Sequence, residues 1–131
     1  MPQLRILHVE DEADIREITA IAFAADPDIE LRQASSGVEA LEVLVDGTMP
    51  DVILLDVVMP EIDGPSTLAR IRTFPGHGST PVIFLTARTQ PQEKGRYLAL
   101  GAIGVISKPF DPMTLGQQIR YLLAEAGCER G

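Results

Sequence analysis

Five short apolar runs, each separated from the next by a segment of helical period, restrict this chain to very few architectures. The runs at Leu4–Val9, 29–33, Val52–Asp56, 81–85 and 103–107 have the length and composition of strands. Between them, residues 13–25 set Ile15, Ile18, Ile21 and Ala22 on one helical stripe before Asp26-Pro27-Asp28 breaks it. Ser35 or Ser36 caps a second helix that turns Val38, Leu41, Leu44 and Val45 inward and stops at Gly47. Pro65 suits the first turn of a third helix, carrying Leu68 and Ile71 and broken at Pro75-Gly76. Residues 92–100 read as a weaker helix containing Gly95 and ended by Gly101. Asp111-Pro112 opens a last helix with Leu115, Ile119, Leu122 and Leu123 on its buried side. Strands alternating with helices imply an α/β domain with one parallel sheet, helices on both faces and right-handed crossovers. With 131 residues, 45% of them hydrophobic, the chain has enough apolar surface for one such core.

The ends of these strands carry the chemistry. Asp56 closes the most apolar run, and a carboxylate at the C-terminal end of a parallel strand opens into the crevice where such sheets bind ligands. Alone it is as well explained as a turn residue. Glu10-Asp11-Glu12 follows the first run, Thr86-Ala87 the fourth and Lys108-Pro109 the fifth. Each has an ordinary explanation as helix-dipole acid, capping hydroxyl or surface lysine. Together they would surround one small pocket suited to a divalent cation and a phosphoryl group. His8, inside the first run, reads as a packed histidine rather than a phosphate carrier. His77, between Gly76 and Gly78, reads as a loop residue with no partner, and Met49 and Met59 as loop and packing residues.

Charge narrows the partners. Nineteen acidic against 11 basic residues give a net charge of -8, which disfavours a nucleic-acid surface. The single cysteine, Cys128, has no internal partner and suits a reducing compartment. The first residues, Met-Pro-Gln-Leu-Arg, show no basic stretch followed by an apolar signal region, and no apolar run approaches the roughly 18–20 residues that span a bilayer. The expected setting is cytoplasmic, with no membrane.

Val9-Glu10-Asp11-Glu12, the segment from Asp56 through Val57-Val58-Met59-Pro60-Glu61-Ile62-Asp63 to Gly64, Thr86-Ala87 and Lys108-Pro109-Phe110 match, in order and spacing, the motifs of one family. From about Leu4 to Leu123 the chain resembles the receiver domain of two-component response regulators. The resemblance implies the flavodoxin-like doubly wound fold, five parallel strands in the order 2-1-3-4-5 with five helices. The expected organisation is a single receiver domain over residues 1–131, core about 4–124, with no output domain.

Mg²⁺ takes oxygen ligands, keeps several waters and usually binds only one or two protein carboxylates. Asp11 and Asp56 supply two carboxylates; the family pattern adds the main-chain carbonyl of Val58 and places Glu10 at the metal through water. Asp56 is then the phosphoacceptor, with Lys108 the cation and Thr86 the hydroxyl donor for the phosphoryl oxygens. The resemblance further implies a sensor histidine kinase or phosphotransfer protein as donor, a downstream protein target as output, and a chain expected to catalyse only its own phosphorylation and dephosphorylation. The family's Lys-Pro peptide is usually cis. The family's strand-five aromatic falls here at Val105, so the usual coupling of hydroxyl to ring is incomplete; the regulated surface is expected on the fourth helix, fifth strand and fifth helix. Val58 and Arg88, two residues past Asp56 and Thr86, flank the phosphoryl position and are expected to slow its hydrolysis.

Two other classes are open to an aspartate after a strand. A Mg²⁺-dependent phosphatase with an aspartyl nucleophile typically has a second Asp two residues on, where this chain has Val58, and usually a cap. An FMN-binding flavodoxin has a hydroxyl- and Gly-rich phosphate loop, whereas Glu10-Asp11-Glu12 repels a phosphate monoester.

Overall fold

A computed structural model of the chain describes residues 3–127. Its elements are β1 (Leu4–Val9), α1 (Ala13–Ala24), β2 (Ile29–Ala34), α2 (Gly37–Val45), β3 (Val52–Asp56), α3 (Gly64–Ile71), β4 (Val82–Thr86), α4 (Pro91–Ala99), β5 (Gly104–Ser107) and α5 (Pro112–Glu125). The strands form one parallel sheet in the order β2-β1-β3-β4-β5. The doubly wound fold is therefore present, with β1 and β3 adjacent where the chain reverses its direction of growth.

Alternation along each strand divides the core into two layers. Leu7, Val9, Ile53, Leu55, Val82 and Phe84 face one way, against Ala40, Val43 and Leu44 of α2, Leu68 and Ile71 of α3 and Tyr97 of α4. Ile6, Val52, Leu54, Ile83, Leu85 and Ile106 face the other way, against Phe23 of α1 and Leu115, Ile119 and Leu123 of α5. β3 and β4 are buried along their whole length, as expected of central strands covered on both faces.

Two helices present faces other than those their periodicity suggests. On α1 the buried residues are Thr19 and Phe23, while Ile18 and Ile21 are exposed. Thr19 is tolerated inside because its hydroxyl donates to the Ile15 carbonyl at 2.7 Å. On α2 the inward side is Gly37, Ala40, Val43 and Leu44, and Val38 and Val45 are exposed. The two helices approach closely on that side: a Cβ at Gly37 would lie 2.3 Å from Thr67 Oγ1 of α3, so a larger residue would force a neighbouring side chain to move. Both helices are apolar on more than one side, and tertiary contact selects the side that is buried.

His77 is also paired, contrary to its reading as a lone loop residue. It is buried, its Nδ1 lies 2.9 Å from Thr80 Oγ1, and its carbonyl accepts from Arg72 at 3.2 Å. The Arg72 guanidinium also donates to the carbonyls of Thr80 (2.7 Å) and Gly101 (3.3 Å), drawing the loop before β4 against the turn after α4. Cys128 lies outside the described residues.

Candidate functional site

The C-terminal ends of β1, β3, β4 and β5 lie side by side, so the sheet gathers side chains far apart in sequence. Glu10, just past β1, is fully buried, and Asp56, the last residue of β3, is nearly so. Lys108, reached from β5 just before a cis peptide to Pro109, donates to Glu10 Oε1 at 3.0 Å and lies 3.2 Å from Asp56 Oδ2. Asp11 stands beside them, half-buried, and Glu10, Asp11 and Asp56 each offer a carboxylate oxygen within 4.8 Å of the others.

Local structure holds this cluster in place. The Arg16 guanidinium of α1 donates to the Glu10 carbonyl at 2.7 Å, and the Glu12 amide donates to Glu10 Oε2 at 3.3 Å. Behind Asp56 the chain turns back through Met59, which is buried, and Gly64 N donates to the Val57 carbonyl at 2.8 Å. A Cβ on Gly64 would lie 2.5 Å from the Asp56 carbonyl oxygen and 2.9 Å from Val57 Cα. Main chain cannot yield as a flexible side chain would, which is the physical content of the glycine eight residues after the aspartate. Sequence reasoning treated Gly64 only as part of a motif, and it missed Arg16.

The electrostatics are those of a cluster short of positive charge. Burial pushes the Glu10 carboxyl up to about 7 despite its hydrogen bond with Lys108. Burial also raises Asp56, against the pull of the Lys108 charge. Burial works against the Lys108 cation, yet its bond to Glu10 and the Asp56 charge outweigh this and raise it. One ammonium thus pairs with two of the three carboxyl groups. Hard oxygen donors, closely set and under-compensated, are the donor set that a small divalent cation requires, so the residues fit Mg²⁺.

An open cavity of about 690 Å³ runs from Asp11, Asp56 and Lys108 to the apolar wall of Ile15, Ile18 and Phe110. Ile18, expected in the core, lines this cavity instead. Val58 stands on its rim, largely exposed, with its amide 3.4 Å from Asp56 Oδ1. Thr86 also lines the cavity, and its Oγ1 accepts from the Arg88 amide at 3.0 Å. Val105 is partly buried and packs against the layer under α4. His8 lies beneath the site, pushed down to about 4 by burial and the Lys108 and Arg16 charges, and is therefore neutral near pH 7. Its Nδ1 accepts from the Gln33 amide at 3.1 Å, and its Nε2 has no hydrogen-bond partner among the described residues. No helix among the described residues is long and apolar enough to cross a membrane.

Comparison with known proteins shows the family and the fold. The family model described as the response regulator receiver domain matches residues 6–120. The transcriptional regulatory protein DltR of Streptococcus agalactiae is 39% identical over 127 residues, 97% of this chain and 55% of that protein. Response regulator Rre1 of Synechocystis sp. is 32% identical over 121 residues, 92% of this chain and 52% of that protein. The chain spans about half the length of these curated relatives. The solved structure of the Vibrio cholerae chemotaxis protein CheY4 is similar, with a TM-score of 0.83 and 31% identity, covering 92% of this chain and 99% of that one.

Proposed function

The chain belongs to the response regulator receiver family of two-component signalling, and on that premise we propose that it is a Mg²⁺-dependent phosphoacceptor that receives its phosphoryl group on Asp56. The donor is a phosphohistidine of a sensor histidine kinase or phosphotransfer protein, the recipient of the signal is a downstream protein, and the setting is cytoplasmic. The observation that carries this reading is Lys108 Nζ shared between Glu10 (3.0 Å) and Asp56 (3.2 Å), with Asp11 alongside.

In the transfer an Asp56 carboxylate oxygen attacks phosphorus, the P–N bond breaks, and its electron pair leaves with the imidazole. Asp56 then carries an acyl phosphate. Lys108 turns its ammonium from the carboxylates to the arriving phosphoryl oxygens, and Thr86 offers its hydroxyl hydrogen, which the Arg88 amide leaves free. Glu10, Asp11, Asp56 and the Val58 carbonyl would hold Mg²⁺, which supplies the positive charge that lets a phosphate approach an acidic pocket. Fixed backbone behind Asp56 keeps the nucleophile aimed, and orientation of this kind is a large part of phosphoryl-transfer catalysis.

Intact mass after incubation with acetyl phosphate, with and without Mg²⁺, tests the reading on the parent and Asp56→Ala. One phosphoryl adduct that needs both Mg²⁺ and Asp56 is the expected result. An adduct that persists in Asp56→Ala, or forms equally after chelation, would overturn it.

A further inference from the structure

Helix α4 buries one side chain against the sheet. Of its nine residues only Tyr97 is buried; Gly95 stands in open space, and no side chain caps the N-terminus at Gln90. The Tyr97 ring packs on Phe84 of β4, with centroids 5.2 Å apart and planes tilted by 56°. Phe84 is fully buried and pairs in register with Val105 of β5, so the side chain beside it on that strand is small. Two residues further along β4, on the same face as Phe84, is Thr86. Its hydroxyl holds the Arg88 amide at 3.0 Å, in the loop that leads into Pro91 and the start of α4.

Thr86 therefore holds the loop that enters α4, and Phe84, two residues before it on the same face of β4, holds Tyr97 nearer the helix's other end. A helix that pivots on a single ring turns when either contact changes. We infer that Tyr97 is the positioning residue of the switch: when Asp56 is phosphorylated and Thr86 moves toward it, the Tyr97 ring shifts against Phe84 and takes α4 with it. The inference rests on the phosphoacceptor reading of Asp56. It also answers what Val105 leaves open, because the ring that reports on the site stands on α4 instead of β5.

The chain has two tyrosines and no tryptophan, so tyrosine emission reads this directly. Tyr121 lies exposed on α5, and Tyr121→Phe leaves Tyr97 as the only emitter. Mg²⁺ and beryllofluoride, a stable phosphoryl mimic, are titrated while fluorine NMR follows the bound fluoride. The expected result is a change in Tyr97 emission that saturates in step with the bound resonance and is lost in Phe84→Leu, which removes the ring that Tyr97 packs on and lies outside the phosphoryl pocket. A bound resonance with unaltered Tyr97 emission would overturn the inference and leave the phosphoacceptor reading standing. A response of equal size in Phe84→Leu would overturn the relay through Phe84 to Tyr97. Absence of any bound resonance from the folded protein would overturn the phosphoacceptor reading and this inference with it.

Discussion

Helices α3 and α4 cover the same face of the sheet, and each follows a strand ending in a site residue, yet they are held in opposite ways. α3 buries Gly64, Thr67, Leu68 and Ile71 out of eight residues, and the Asp63 carboxylate caps it by accepting from the Ser66 amide at 2.8 Å. α4 buries Tyr97 alone, lacks a side-chain cap and contains an unsupported glycine. On the proposed function Asp56 is a nucleophile and needs fixed geometry, which packing provides behind it. On the same reading α4 is the sensor, which needs a second arrangement within a few kcal/mol of the first, and light packing favours one.

The largest effect that can break this comparison is cavity formation. Leu68→Ala should lower unfolding free energy in urea by about 2–5 kcal/mol, as for other fully buried leucines, whereas exposed Leu98→Ala should stay within about 0.5 kcal/mol. Equal losses would mean that α4 is packed as firmly as α3.

The two glycines provide a sharper contrast, because the same change should act with opposite sign. Gly64→Ala drives a Cβ into the Asp56 carbonyl and should destabilise by about 1–3 kcal/mol while slowing phosphorylation by acetyl phosphate. Gly95→Ala meets nothing and should stabilise by about 1 kcal/mol. A stabilising Gly64→Ala would refute the rigid backing of the phosphoacceptor.

A pH series separates packing from charge. Glu10, raised from 4.5 to about 7, keeps its proton in the folded state where the unfolded chain has released it. Its contribution is therefore complete below pH 4.5 and is lost as pH rises to about 7, with a slope of at most about 1.4 kcal/mol per unit. His8, lowered from 6.5 to about 4, acts in the opposite sense, its contribution lost as pH falls through that range. Subtracting Glu10→Gln from the parent in chemical unfolding isolates the carboxyl, and saturating Mg²⁺ should flatten the difference. The gap between Leu68→Ala and Leu98→Ala, being packing, should not move with pH.

The smallest effect concerns the rim. Val58 leads toward α3 and Arg88 toward α4, and both are exposed. Val58→Asn should admit the attacking water and speed loss of the phosphoryl group by on the order of tenfold, about 1.4 kcal/mol of barrier. An unchanged or slower decay, followed by intact mass, would remove Val58 from that role.

Five strands, five helices and the residues at four strand ends were readable from the chain itself, because apolar runs of strand length and turn-forming breaks are local properties. Strand order came from resemblance, since hydrophobic alternation says nothing about which run lies beside which. The faces of α1 and α2 were misread because Ile18, Ile21, Val38 and Val45 satisfy a helical stripe as well as the residues actually buried. His77 gained its partner only when the loop folded onto Arg72. The weakness of α4 could be suspected from Gly95, but its dependence on one ring could not.

By itself, then, the sequence determined which segments are strands and helices and which chemical groups stand at their ends, because those depend on neighbours along the chain. Only the tertiary structure decided that Lys108 bridges Glu10 and Asp56, that Gly64 backs the Asp56 carbonyl and that Tyr97 is the one buried residue of α4. Each of these is a contact between distant residues, set by how the layers pack and how closely two backbones approach.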